Sequence, residues 1–385
     1  MEKLDIIKTL FSLIRASLDD EYNFQAPVEA FTEEDYNQLY KYSRKHDVLH
    51  LVTFALQKAN LMPKDAELFK KFQQGLLFAV YRVQQIELAQ KSAIEILTEN
   101  GINYILLKGA VIRNYYPESW MRTSYDVDIL VKKADFDKAV EAFSQQGYTI
   151  SKKSAYDILI IAPNDVHIEL HFGFHSYSPQ KKEEVPVENV WEQAVEKENG
   201  EYALTDEMFY YFHTTHMAKH FIIGGCGIKP FADMFVLYKN QKADQENSYI
   251  KESGLTTFDQ NVRHLFKVWF YDEQHTPITK QMENYIFTGG AYGSLKNKVA
   301  VKQLRVGGKK SYILSRLFMD YEVLKGVFPI IKKHKWLTPV FQVVRWFTVI
   351  TKGKFSWTLK EFMLSSKNTK KDMDETNKFL EETGL

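Results

Sequence analysis

The sequence predicts an α+β protein in which a small mixed-sheet core sits between two helical regions. Apolar residues recur at helical spacing through the N-terminal part, the period shortens to that of strands between Gly101 and Phe172, and helical spacing returns from Thr205. The expected organisation is an N-terminal helical region over 1–74, an α/β core over 75–200, a C-terminal helical domain over 201–364 and a charged tail over 365–385.

Each element has a local cause. Leu4, Ile7, Leu10, Phe11, Ile14 and Leu18 repeat at three- and four-residue steps, with Glu2, Asp5 and Arg15 between them; this is an amphipathic helix, not the unbroken apolar run of a signal peptide. Thr32-Glu33-Glu34-Asp35 opens the next helix with a hydroxyl cap and an acidic first turn. His46 to Ala59 follows, an element with most faces buried. Pro63 begins a long helix to about Glu99, with Leu68, Phe72, Leu76, Val80, Val83, Ile86 and Leu88 as its apolar positions.

Ile102 to Leu107 reads as a buried strand, broken at Lys108-Gly109-Ala110 and followed by a short helix that Pro117 ends. Tyr125 to Val131 is the second strand, and Ala134 to Gln146 a helix stopped by Gly147. Tyr148–Lys152, Tyr156–Ala162 and Val166–Phe172 are further strands, the last two joined by a hairpin turn at Pro163-Asn164-Asp165. Thr205 caps a helix to about Ile223, Gly224 to Gly227 interrupts it, and Pro230 starts another through Tyr238. Residues 256–385 are helical in period, and the end of the tail is expected to be mobile.

Composition bounds the class. With 45% apolar and 26% charged residues among 385, the chain is an ordinary globular one with room for two or three domains. Cys226 is the single cysteine, which rules out an intrachain disulfide or a zinc-finger spacing and suits a reducing compartment. No run of about 18 uncharged apolar residues occurs, so no transmembrane segment is expected and the cytoplasm is the expected location. The net charge of +1 is segregated: residues 291–355 hold 14 Lys/Arg against Asp320 and Glu322, while the remaining 36 basic and 47 acidic residues leave the rest at −11. Such a segment suits an anionic partner, or lies as a solvated face beside an acidic domain.

The candidate chemistry lies in the core. Asp126 and Asp128 are two apart on a strand and project from one face, where they repel unless a cation lies between them. Carboxylates of this kind suit Mg²⁺, with Mn²⁺ also possible, and Glu169 on a later strand is a third candidate ligand. Lys108-Gly109 offers a positive charge and backbone N–H groups to a phosphate, and Arg122 offers a fork. An ordinary strand-to-helix turn would need the same glycine. His167, Glu169 and His171 alternate on one strand, a spacing that also fits Zn²⁺, although Glu169 is preferred as a metal ligand or base with His171 beside the substrate. His213, His216 and His220 share a helical face, followed by Lys229 and Asp233; they line a nucleotide cleft or are simply satisfied histidines near a helix end.

Taken in order, Ile105-Leu-Leu-Lys-Gly-Ala110, Tyr116-Pro117, Arg122, Asp126-Val-Asp128-Ile-Leu-Val131 and Ile168-Glu-Leu-His171 resemble the motif series of the uncharacterised nucleotidyltransferase family, part of the DNA polymerase β-like superfamily. The resemblance extends over about 75–345, taking in His216 to Asp233 and Leu317 to Arg345. It implies that Asp126, Asp128 and Glu169 bind Mg²⁺, that Gly109 and its backbone hold a nucleoside triphosphate, and that a nucleoside monophosphate, from ATP by expectation, passes to a hydroxyl of an unidentified acceptor: a small molecule, sugar, peptide or protein. Two departures stand out: Ala110 supplies no hydroxyl at the turn, and the third acid is Glu where Asp is commoner. The rival readings are a degenerate nucleotide-binding regulator and a metal-dependent phosphohydrolase. For the basic segment, nucleic acid and an acidic membrane surface are both open.

Overall fold

Asp5 starts the first helix by accepting from the backbone N–H groups of Ile7 and Lys8, 3.1 Å each. From there four helices lead to the sheet: α1 (Ile6–Leu18), α2 (Glu33–Lys45), α3 (Leu49–Lys58) and α4 (Ala66–Glu99). The computed structural model describes residues 5–25, 31–153, 156–179, 181, 183–243, 247–291, 293–351, 360–361, 363–366 and 369–385. Thr32 and Asp35 close a reciprocal capping box at the head of α2, as the hydroxyl-plus-acid pattern predicts. In α4, Leu68, Phe72, Val83 and Ile86 are buried as expected, but Leu88 is 60% exposed. Ala89 and Ala93 take the inner face instead, where small side chains let the helix lie close against the sheet.

Nine strands follow among the described residues: β1 (Tyr104–Leu106), β2 (Asp126–Val131), β3 (Thr149–Lys153), β4 (Asp157–Ile161), β5 (His167–His171), β6 (His175–Ser178), β7 (Glu183–Pro186), β8 (Val195–Glu196) and β9 (Glu201–Ala203). Seven of them make one mixed sheet in the order β3-β4-β5-β2-β1-β9-β8, and β6-β7 is a separate hairpin. The turn at Pro163-Asn164-Asp165 closes as expected, with Ala162 N–H donating to Val166 O at 2.8 Å. The strands β6 to β9 are not foreshadowed by apolar alternation. β9 exists because it adds in parallel to the edge of β1, a partner more than ninety residues away.

Interspersed with the sheet are α5 (Gly109–Ile112), α6 (Phe136–Gln145) and α7 (Val190–Gln193). Beyond it run α8 (Asp206–Ile222), α9 (Lys229–Lys239), α10 (Ser248–Glu252), α11 (Thr256–Tyr271), α12 (Pro277–Thr288), α13 (Leu295–Arg305), α14 (Lys309–Leu317), α15 (Tyr321–Val327), α16 (Ile330–Lys333) and α17 (Thr338–Thr351). A last helix, Lys370–Thr383, corrects the expectation of a mobile end. Thr369 and Asp372 cap it, Phe379 and Leu380 are buried, and the Phe379 ring lies 4.9 Å from that of Tyr285.

Two cores hold these layers. One lies under the sheet and joins Val127, Ile129, Ile160 and Ile168 to Phe136 and Phe143 of α6 and to the alanines of α4. The other joins α1 and α3 to α8, α9, α11 and α12 through Phe11, Phe221, Phe231, Phe235 and Trp269. The N-terminal helices therefore share a core with the helices after Thr205, and Ile105 and Leu130 join the sheet's second face to that shared body. Among the described residues no helix is long and apolar enough to cross a membrane.

Candidate active site

The acidic residues meet because β2 and β5 are parallel neighbours. Their register sets Asp126 opposite His167, Asp128 opposite Glu169 and Leu130 opposite His171. Alternation buries Val127, Ile129, Ile168 and Leu170 on the other face. β1 ends beside them, with Leu107 N–H donating to Asp128 O at 3.1 Å. The chain then reverses at Lys108, which takes φ 44°, a left-handed value unusual for a residue with a side chain. Gly109 does not take a left-handed φ; a Cβ there would lie 3.2 Å from Ser124 Cβ, so any larger residue would press on Ser124. α5 is only four residues long, so it offers little dipole to an anion.

That reversal carries the Lys108 ammonium back over the acids, 2.5 Å from Asp128 Oδ1 and 3.8 Å from Glu169 Oε2. His171 Nε2 lies 3.0 Å from the same Asp128 oxygen. Burial pushes the Asp128 carboxyl up, but Lys108 and the hydrogen bond to His171 outweigh it and hold Asp128 well below the usual carboxylate range. The other two acids go the opposite way. Burial and then Asp128 raise Asp126, and burial and then Asp128 push Glu169 up to about 7. One ammonium thus faces three carboxylates, and the set still lacks positive charge.

Whether these residues suit a metal follows from that donor set. Ligand atoms of Asp128, Glu169 and His171 lie within 4.8 Å of one another, and these three could hold a metal ion. Carboxylate oxygens with uncompensated charge fit a hard divalent cation. Asp126 is not one of these three, but it lines the same cleft as Asp128 and Glu169.

The opposite wall comes from α8 and α9. His216 and His220 pack on one another with Nε2 atoms 3.0 Å apart, and His213 Nε2 donates to Pro230 O at 3.1 Å. Burial, then Lys108, pushes His220 down to about 4, so its imidazole is neutral at physiological pH. Arg122 forks onto Asp233, with Nε 2.5 Å from Oδ1 and Nη2 2.9 Å from Oδ2, and its Nη1 donates to Thr123 O. Tyr116 OH also donates to Asp233, at 2.7 Å. The fork that the sequence offers to a phosphate is engaged with Asp233 in this structure. Lys229 pairs with Asp47 and donates to Thr123 O at 3.2 Å.

Of the residues singled out in the sequence, Asp126, Asp128, Glu169, Lys108, Gly109, Arg122, His213, His216, His220, Lys229 and Asp233 line one cleft of about 380 Å³. His171 lies outside it, in an adjoining pocket of about 130 Å³ that shares Lys108, Glu169, Phe212, His216 and Lys219 with the cleft. Tyr156 and His175, rings 3.6 Å apart, form the far wall of that pocket. Three participants carry no sequence signal that separates them from ordinary surface residues. Asp47, at φ 58° in the turn before α3, holds Lys229 and lies 3.5 Å from Arg82. Arg82 of α4 stacks 4.0 Å from the Tyr125 ring at the cleft mouth.

A family model described as an uncharacterised nucleotidyltransferase matches residues 32–271. The match starts upstream of the expected 75–345 stretch, taking in α2 and α3, and ends before Leu317 to Arg345, so the resemblance expected of that last segment is not supported. No curated protein and no solved structure matches the chain.

Proposed function

Because the chain belongs to the uncharacterised nucleotidyltransferase family, we propose that it moves a nucleoside monophosphate from a nucleoside triphosphate, with ATP the first to test, to a hydroxyl of an acceptor. The observation that carries this reading is the in-register pairing of Asp128 with Glu169 across β2 and β5, with Asp126 beside them on the floor of one cleft. Asp126, Asp128 and Glu169, with His171 at the edge, would hold Mg²⁺ or Mn²⁺, which supplies charge neutralisation to the triphosphate. Lys108 adds a cation beside the phosphates. Gly109 keeps the backbone close to them. Arg122, Asp233, Lys229 and His220 hold the wall against which the nucleoside lies.

Glu169 is the group to take the acceptor's proton. It is only partly buried and opens to both cavities, and burial and then Asp128 push its carboxyl up to about 7 with no metal ion beside it. The acceptor hydroxyl enters from the pocket walled by Tyr156 and His175. Its oxygen bonds to the α-phosphorus, the bond from that phosphorus to the bridging oxygen breaks, and pyrophosphate leaves with the electron pair.

A second reading rests on one observation. Lys108 already lies on Asp128 at 2.5 Å, an arrangement that also suits a protein that binds nucleotide without turning it over. Thermal shift with ATP, GTP, CTP and UTP, with and without Mg²⁺, tests binding; a ligand at a hundred times its dissociation constant adds about 2.7 kcal/mol. Product analysis then separates the readings. Pyrophosphate release that depends on an added acceptor supports transfer, free nucleoside monophosphate with water alone supports hydrolysis, and a shift without product supports the regulator.

A further inference from the structure

The basic C-terminal segment lies outside the family match and, after Ala291, outside the cleft, and it presents three apolar stripes to solvent. On α17, Val340, Val343, Val344 and Phe347 fall at i, i+3, i+4 and i+7, and all are exposed, Phe347 at 65%. Val323 and Val327 repeat the pattern on α15, as do Leu314 and Phe318 at the end of α14. Trp336, just before α17, is 74% exposed. These helices form one body. Gln342 and Met319 exchange two hydrogen bonds, Arg345 and Trp346 donate to Leu317 O, and the Phe328 and Phe341 rings lie 5.0 Å apart.

Charge says what covers this face. From Val323 to Thr351 the chain has five Lys/Arg and no Asp or Glu, and Lys332, Lys333 and Lys335 stand exposed around Trp336. A second copy meeting it through the same face would bring like charge against like charge. Nucleic acid would satisfy the lysines but would leave the valines, which have no ring face on which a base can stack. An anionic bilayer surface satisfies both: lysines reach the headgroups while Val, Phe and Trp side chains enter the acyl boundary. We propose that the face made by α14, α15 and α17 docks the protein on a bilayer containing anionic lipid. This is independent of the nucleotidyl-transfer reading and needs no membrane-spanning segment.

Co-sedimentation of the full chain with phosphatidylcholine vesicles, with and without phosphatidylglycerol, tests it. The protein is expected to pellet with the anionic vesicles and to remain in solution with the neutral ones. Each lysine near an anionic surface strengthens partitioning about fivefold, so Lys332→Glu/Lys333→Glu/Lys335→Glu lowers it by at least about a hundredfold. Val343→Glu/Phe347→Glu lowers it more than about tenfold while keeping every lysine. These side chains are exposed, so both variants should keep the wild-type circular dichroism spectrum and melting temperature. The proposal is overturned by failure to pellet with anionic vesicles, or by pelleting that Val343→Glu/Phe347→Glu leaves unchanged. It is equally overturned if, without vesicle binding, the chain binds single-stranded RNA through those lysines or forms a dimer that Phe347→Glu dissolves.

Discussion

Arg122, on the loop before β2, closes a bidentate pair with Asp233 of α9, at 2.5 and 2.9 Å; Asp233 is buried and Arg122 largely so. The pair joins the sheet to the C-terminal helices across 111 residues of sequence. Removing one partner strands the other charge in the interior, and a buried pair broken in this way costs about 3–5 kcal/mol. Arg122→Gln and Asp233→Asn should each lower urea-unfolding stability by that order, and the double variant by less than their sum. Additive losses would mean that the two residues do not act as a pair.

Lys108 and a bound cation compete for the same carboxylates. Two unit charges about 4 Å apart, as Lys108 and a cation on these carboxylates would be, interact by about 1–4 kcal/mol at the dielectric of water or of a protein surface. Lys108→Gln should therefore tighten Mn²⁺ binding about tenfold or more in calorimetric titration, while nucleotidyl transfer falls. Weaker metal binding would show that Lys108 organises the acids rather than opposing a cation.

Asp126 separates chemistry from stability. Its carboxyl is raised by burial and then by Asp128, so folding disfavours its charged form, and at neutral pH the ionised group is a cost to the fold. Asp126→Asn should leave stability unchanged or slightly higher in urea titration. Transfer should fall by about 10²–10³-fold. A variant that unfolds readily would contradict the assignment of Asp126 to chemistry.

His46 sets an acid limit that is unrelated to the site. It is fully buried against Phe287, neither ring nitrogen has a hydrogen-bond partner among the described residues, and burial pushes it down to about 3. His50, donating to Met121 O at 2.8 Å, is pushed down to about 4. Between those values and about 6.5 the unfolded chain binds protons that the folded chain does not, so stability is whole above pH 6.5 and declines as the pH falls toward 4 and then 3. His46→Leu should flatten part of that decline and hold or raise stability at pH 8, since an unpartnered buried imidazole is replaced by an apolar group. Melting temperatures from pH 4 to 8 measure both effects, and an unchanged acid slope would exclude His46 as a contributor.

The closing helix gives the last expectation. Phe379 is buried beside Tyr285, and truncation of a buried Phe costs about 3–5 kcal/mol at full burial. Phe379→Ala should approach the lower end of that range in denaturant unfolding, whereas a tail that merely hangs from the body would show no change.

Periodicity, caps and turn residues are local properties, and the sequence by itself determined what they control. It placed the long helix to Glu99, the change of period at Gly101, the strand carrying Asp126 and Asp128, the Pro163-Asn164-Asp165 turn and the helices begun by Thr205 and Pro230, and its motifs marked the family. What it left to tertiary structure depends on partners distant in the chain. The parallel register that sets Asp128 against Glu169 is a choice between strands some forty residues apart. The pairing of Arg122 with Asp233 and of Lys229 with Asp47 crosses between layers that no local pattern connects. The short strands β8 and β9 form only because β1 leaves an edge to extend, and the charged C-terminal end folds only because Tyr285 and its neighbours offer Phe379 an apolar surface. Local sequence sets which groups share a strand or helix face, and only the packing of the layers sets which of those faces meet.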